Sequence, residues 1–531
     1  MKKGKTAPVR TTSAPVKPVP PPAPSAQSRK VFIFLFGAVL LATIVFKIYK
    51  ADQAGIIFDE SRTFRDFARS PHAALNFYSS PNNHVINSLL IYYAHKLFSF
   101  YEHFIRIPSL IAGILFSLAL AYIVTRTFSS YLIRIVMFGL VSLVPAVFDY
   151  SFVARGYAFG LAGIYMEIAL ALWLLKHRIK YQYLWIPVLL ISALNFLALG
   201  AVLTSIFFLF SINLIFVLFY SSKVLREPPI KRWKPIIFNG IGIFLITAVS
   251  SYLLYRGLLD KIPNNENLQA MANRWKGWPT FVSFLNTMLV KGVFRPNDTA
   301  GIIIFRVVLV LLVASIAYHI YRFIRKVKAG QAHEYLPGGD PGNFVLMVTG
   351  TAFLLMFIIG VVLKKSLGFE RNIVFFVPMA LLSLGIILDR FGCWFGMRLR
   401  GQALRAVLAG VIIAVTIHNR PSYCYAIGGQ SVSGPLLRRL KAIDPDKTWK
   451  ITLTEKTKNH RLAINFYEKY YNFTWVGSDN YDVMVCQKDE MLAQQLIYLD
   501  WDFFRNFNCA VLVNFPLPFE RMVLDAKIKK D

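Results

Sequence analysis

Acidic side chains are scarce in this sequence. Its 531 residues hold 28 Asp and Glu against 59 Lys and Arg, and charge of either sign fills only 16% of positions while 56% are apolar. With a mean hydropathy of +0.49, that balance excludes a soluble globular protein of this length. Cysteine is scarce too. The four cysteines show no CxxC and no Cys/His spacing, which argues against a structural zinc site. Cys424, Cys486 and Cys509 all fall in the last segment, where a single disulfide would leave one of them unpaired. There is no internal repeat and no Gly-rich phosphate loop, and "GGDPG" at 338–342 reads as a turn. The net charge of +31 does not imply nucleic acid, because the basic residues sit in short segments between apolar runs rather than on one contiguous face.

What is abundant is runs of membrane-spanning size, about 20 apolar residues each. The first is "VFIFLFGAVLLATIVF" after a basic, Pro/Ala/Ser-rich arm, residues 1–30, that contains no acidic residue and should be disordered. No small-x-small cleavage site follows this run, so it reads as an uncleaved helix. Further spans are expected near 104–125, 132–148, 156–175, 182–199, 201–221, 235–256, 300–320, 343–363, 372–388 and 403–419. If the chain starts inside, every second connection should be basic. The connections "RTFSSYLIR", "KHRIK", "SSKVLREPPIKRWK", "YRFIRKVK" and "DRFGCWFGMRLRGQALR" all are. The expected architecture is therefore an α-helical polytopic membrane protein of about 11 spans, with the N-terminus cytoplasmic. Residues 421–531 are less apolar and form a small extracytoplasmic α/β domain. There, "TWKITLT", "YDVMVCQ" and "CAVLVNF" read as strands, and "HRLAINFYEKYY" and "EMLAQQLIYL" as helices.

The outer segments carry the polar residues that need explaining. The first, about 50–103, contains "GIIFDESRTF", with Asp59 and Glu60 side by side. Composition leaves two readings open: solvated loop charges, or groups facing something that needs a base or a cation. Adjacent side chains diverge by about 100° on a helix, so only one of the two faces a given site squarely. "SPNNHVINSLL" adds Asn83 and His84, and the apolar spacing at 85–100 predicts a helix lying in the membrane interface. The loop 257–299 is again mixed and Trp-bearing. In "DYSFVARGYAFG", Asp149, Arg155 and Tyr157 stand where the chain turns back into the membrane; an Arg there must snorkel, pair or bind an anion. "LKKSLGFERN" puts Lys364, Lys365 and Arg371 in an outer loop, against the positive-inside trend, and suits a phosphate of a substrate or of a lipid head group. Glu167, inside the fourth span, is the residue that favours transport.

Taken together these motifs resemble the GT-C superfamily of membrane glycosyltransferases, in particular the bacterial protein O-mannosyltransferase and aminoarabinose transferase branch (glycosyltransferase family 39-like). The Asp-Glu pair, "PNNHVINSLLIYYAHKLF", "FIRIPSLIAGIL", "ARGYAFGLAGIYMEIAL" and "FERN" carry the likeness, which spans most of 31–420 and is densest in 55–160. Val85 after His84 departs from the Pro of many relatives. The resemblance implies a transmembrane catalytic domain over 31–420, a polyprenyl-phosphate sugar as donor, and an acceptor glycan, lipid or protein at the outer face of a bacterial inner membrane. It implies Asp59 as base with Glu60 beside it, and Arg155, Tyr157, Lys364, Lys365 and Arg371 toward the donor phosphate. His84, Asn83 and Asp149 fall to the acceptor or to a divalent metal, which some members bind and others do not. Alternatives are a lipid or polysaccharide transporter and an O-antigen ligase or polymerase.

Overall fold

The computed structural model describes residues 26–77, 83–98, 102–177, 183, 185–224, 233–259, 310, 321, 325, 340–363, 374–394, 433–453, 460–465, 473–476, 482–487, 497–498 and 509–513. The chain opens with α1 (Ala26–Gln53), a 28-residue helix. Of the arm expected to be disordered, 26–30 already belong to α1, because the apolar run that follows propagates the helix backwards; residues 1–25 lie outside the described residues. Next come the five-residue α2 (Phe58–Arg62), a π turn at Thr63–Phe67, and the short α3 (Pro71–Asn76). Ser70 caps α3, accepting from Ala73 N at 3.0 Å, and Pro71 occupies its first turn. The expected interfacial helix is α4 (Val85–Phe98).

Long apolar helices follow: α5 (Glu102–Thr127), α6 (Tyr131–Leu143), the short α7 (Pro145–Tyr150), α8 (Tyr157–Lys176), α9 (Trp185–Ala201), α10 (Ile206–Val224) and α11 (Trp233–Leu259). Then come α12 (Pro341–Phe357), continued by a π turn at Ile358–Val362, and α13 (Phe376–Trp394). "GGDPG" serves as more than a turn. The Asp340 carboxylate accepts from Gly342 N at 2.9 Å and caps α12, with Pro341 in the first turn. Pro145 divides the expected span 132–148 into α6 and α7, since proline cannot donate within the helix and disfavours helical backbone at Val144.

Among the described residues, five helical stretches are long and apolar enough to cross a membrane: Ala26–Gln53, Phe104–Thr127, Tyr157–Lys176, Gly240–Leu258 and Pro341–Val362. Three shorter apolar helices accompany them. The chain is a multi-pass membrane protein. The expected span at 403–419, and nearly all of the expected span 300–320 and of the loop 257–299, lie outside the described residues. α5 and α8 pack at the centre of one large apolar core, with α6, α9, α10, α12 and α13 around them. The packing requires Gly113 on α5, where a Cβ would fall 1.9 Å from the Ser151 carbonyl oxygen. Outward faces stay apolar, with Phe34 and Leu41 on α1 and Phe244 and Tyr252 on α11 more than half exposed, as surfaces facing hydrocarbon should be.

The C-terminal part holds α14 (Ser433–Ile443), β1 (Trp449–Leu453), α15 (His460–Asn465), β2 (Phe473–Trp475), β3 (Val483–Gln487), β4 (Ile497–Tyr498) and β5 (Cys509–Val513). They form a five-stranded sheet of order β2-β1-β3-β5-β4. β1 pairs in parallel with β2 and β3, whereas β5 pairs antiparallel with β3 and β4. The parallel β1–β2 pair needs a crossover, and α15 supplies it. Two expectations change. "EMLAQQLIYL" ends in a strand rather than a helix, because Ile497 and Tyr498 pair with Val513 and Leu512; residues 490–496 lie outside the described residues. β2 is a further strand whose three residues are too few for a sequence pattern. The register pairs Cys486 with Ala510 and Cys509 with Gln487, so these cysteines are not cross-strand partners, and Cys424 lies outside the described residues.

Candidate active site

The site is built where α2, α4, the start of α5 and the turn before α8 converge. α2 is only five residues long, too short to hold itself in place. What holds it is the side chain of Glu60, which is fully buried. Arg106, near the start of α5, donates to it twice, Nε to Oε1 at 2.8 Å and Nη2 to Oε2 at 2.6 Å. The backbone N–H of Ile57 reaches Oε2 at 3.0 Å and that of Ala154 reaches Oε1 at 2.7 Å. Every donor of Arg106 is engaged as well: Nη1 bonds the carbonyls of Ala51 and Ala54 at 2.8 and 2.5 Å, and Nη2 that of Gly55 at 2.8 Å. One buried bidentate pair therefore ties together the end of α1, the turn into α2, α5 and the segment before α8. Such a pair is kept only where the remaining lone pairs and protons are satisfied, and here they are.

Asp59 points elsewhere, as adjacent positions on a helix must. Its side chain keeps 9% of its surface, and Oδ2 lies 3.9 Å from Arg155 Nη2. That separation is long for a charged hydrogen bond. Arg155 is itself held in place, with Nη1 at 3.4 Å from both the Asp59 carbonyl oxygen and Thr63 Oγ1. Its guanidinium carbon sits 5.9 Å from the Tyr157 ring centre. The Thr63 hydroxyl also bonds the Asp59 carbonyl at 2.8 Å. The backbone beneath Arg155 is fixed by Ser109, whose Oγ lies 3.4 Å from the Arg155 carbonyl and 3.2 Å from Asn87 Oδ1, while Asn87 Nδ2 donates to the Ala154 carbonyl at 3.2 Å. A carboxylate and a guanidinium thus stand side by side at the N-terminus of a 20-residue helix, where the peptide dipole also favours negative charge.

His84 packs edge-on against Tyr157 at 5.0 Å, and its Nδ1 lies 2.8 Å from the Ala201 carbonyl at the end of α9. Tyr157 also meets Tyr150 at 4.6 Å. Gly156 allows this: a Cβ there would fall 2.5 Å from the Ala201 oxygen and 2.8 Å from two carbons of His84. Asn83 spans its loop, donating to the carbonyls of Ala74 and Phe77 at 2.8 and 3.1 Å and accepting from Ser88 Oγ at 3.1 Å. Asp149 is buried in α7, six residues before Arg155, and its carbonyl accepts from Phe152 and Val153.

The structure brings Asp59, Arg155, Tyr157 and His84 to one place and binds Glu60 into the frame behind them. Lys364, Lys365 and Arg371 lie outside the described residues. Among the described residues, no three His, Cys, Asp or Glu side chains come together as a metal cage would need. Arg106, Asn87 and Ser109 were not singled out as site residues from sequence. Arg106 carried a usable signal, being a cation beside the apolar run of α5, like Arg155 before α8.

No protein-family model and no curated protein matches the chain. Solved structures do. ArnT from Cupriavidus metallidurans bound to undecaprenyl phosphate is 14% identical, with 92% of this chain and 99% of that one covered at a TM-score of 0.45. The archaeal oligosaccharyltransferase AglB from Archaeoglobus fulgidus, in complex with an inhibitory peptide and a dolichol-phosphate, is 13% identical, covering 87% of this chain and 70% of that one at a TM-score of 0.44.

Proposed function

We propose that the chain is an inverting glycosyltransferase that moves a sugar from a polyprenyl-phosphate-linked donor to an acceptor hydroxyl on a glycan, lipid or protein. The observation that carries this is the unequal treatment of two adjacent carboxylates. Glu60 is sealed against Arg106, while Asp59 stands 3.9 Å from Arg155 beside the start of α8. One carboxylate is what the chemistry needs. Asp59 takes the proton of the acceptor hydroxyl as that oxygen attacks the anomeric carbon. The bond from that carbon to the phosphate oxygen breaks, and polyprenyl phosphate leaves with the electron pair. Arg155 holds the developing charge. A single displacement inverts the anomeric configuration, and phosphate leaves without the second carboxyl group that glycoside hydrolysis requires.

In this reading Tyr157 and His84 form the wall beside the donor, and Asn83 fixes the loop that carries His84. Lys364, Lys365 and Arg371 complete the phosphate side. Asp149, Asp59, Glu60 and His84 are the ligand types a divalent metal would take, but they do not fit one together: among the described residues no three such side chains come together, and Glu60 is sealed against Arg106. About eleven spans make up a catalytic domain over 31–420, and residues 421–531 form an extracytoplasmic α/β domain. The membrane is a bacterial inner membrane, with the N-terminus cytoplasmic.

A second reading, lipid or polysaccharide transport, draws on Glu167, which is fully buried on α8 near Asn213. One experiment separates the two. Purified protein in lipid is given a panel of radiolabelled polyprenyl-phosphate sugars, as wild type and as Asp59→Asn. Transfer or donor hydrolysis should be lost in the variant at unchanged expression. Near-normal turnover in Asp59→Asn would sink the assignment, and lipid movement without turnover by the wild type would favour transport.

A further inference from the structure

The C-terminal sheet does not stand apart from the site. Leu437 and Leu440 of α14, Ile451 of β1 and Ile464 of α15 share one buried apolar cluster with Ile56 and Ala68. All six are at most 1% exposed. Ile56 comes three residues before Asp59, and Ala68 directly follows the π turn after α2. α15 lies directly against α2. Beside this contact, Arg438 Nη2 reaches the carbonyl oxygen of Gln53, the last residue of α1, at 3.4 Å. The segment that carries Asp59 is therefore held by two sets of contacts, one polar and one apolar. Arg106 and the Ala154 N–H hold Glu60 from the membrane helices, and α14 and α15 pack on the same segment through the apolar cluster.

A five-residue helix has almost no stability of its own, so its position is set by what packs on it. We infer that the C-terminal unit is a positioning element for the catalytic loop: α14 and α15 hold α2 so that Asp59 stays set against Arg155. The inference rests on the proposed glycosyl transfer, and it gives the C-terminal unit a task other than binding the acceptor. It acts through geometry. A base moved by about 1 Å loses on the order of 100-fold in rate, and binding elsewhere is untouched.

The test uses the full chain in lipid nanodiscs, comparing wild type with Leu440→Ala, Ile464→Ala and the volume-conserving Leu440→Met. Binding is read with polyprenyl phosphate, turnover with a saturating labelled polyprenyl-phosphate sugar, and loop order by hydrogen exchange over residues 56–68. Turnover should fall about 10- to 100-fold in the two alanine variants, with polyprenyl phosphate affinity unchanged and faster exchange at 56–68. Leu440→Met should restore both. In an Asp59→Asn background Leu440→Ala should lower the residual rate no further, because both changes act on one step. Unchanged donor turnover in Leu440→Ala would overturn the inference, as would a loss that only tracks the fraction of protein still folded. Failure of the functional reading is distinct: it shows as an active Asp59→Asn, whatever the exchange rates report.

Discussion

Removing the Arg106 side chain tests the frame behind the site. In Arg106→Ala the Glu60 carboxylate loses two of its four donors, and the carbonyls of Ala51, Ala54 and Gly55 lose theirs. Breaking a buried ion pair by removing one partner costs about 3–5 kcal/mol, because a buried charge is left uncompensated. Orphaned carbonyls add to this at about 1–3 kcal/mol each wherever water does not reach them. A loss of 4 kcal/mol or so is a large share of the roughly 5–15 kcal/mol that holds a folded protein together. Arg106→Lys keeps the charge but cannot fork across both carboxylate oxygens and three carbonyls, so it should fall between wild type and alanine. The pair Arg106→Met with Glu60→Leu removes both charges and should recover the part of the loss that comes from the uncompensated carboxylate, while the orphaned backbone groups still cost stability. It should not recover activity, since the Ile57 and Ala154 N–H groups no longer anchor α2. Thermal unfolding in detergent reads the first quantity and donor turnover the second. An Arg106→Ala protein within about 1 kcal/mol of wild type would refute the reasoning, since that is the value of an exposed pair.

Two further changes probe the surroundings. Gly156→Ala drives a methyl group against the Ala201 carbonyl and the His84 ring, so it should cost about 1–3 kcal/mol by overpacking and displace His84 from Tyr157; wild-type unfolding temperature and turnover would contradict that contact. Lys47 is buried in α1, with its ammonium bonded to the Gly113 carbonyl at 3.2 Å and Ser117 Oγ at 2.8 Å, both on α5. Lys47→Met should therefore retain turnover at near-normal stability, and loss of turnover in a well-folded variant would assign Lys47 to the site.

Much of this organisation follows from local composition. Hydrocarbon accepts only segments whose backbone is bonded internally and whose side chains are apolar, so helices such as α1, α5 and α8 announce themselves as runs of residues. α4 and strands β1, β3 and β5 were readable for the same reason, because their periods of 3.6 and 2 are written within a few residues. Asp59 and Glu60 were conspicuous because carboxylates are rare in this chain. Which of the two is sealed and which faces Arg155 was not readable, since that depends on Arg106, 46 residues further on, and on an N–H of Ala154. His84 likewise finds its carbonyl 117 residues away at Ala201, through a gap that Gly156 leaves open. The contact of α15 with α2, and that of Arg438 with the end of α1, join segments about four hundred residues apart. Local sequence records what each stretch needs from its solvent. Burial of a charge, or the seating of a five-residue helix, is decided by partners that only the folded chain brings within reach.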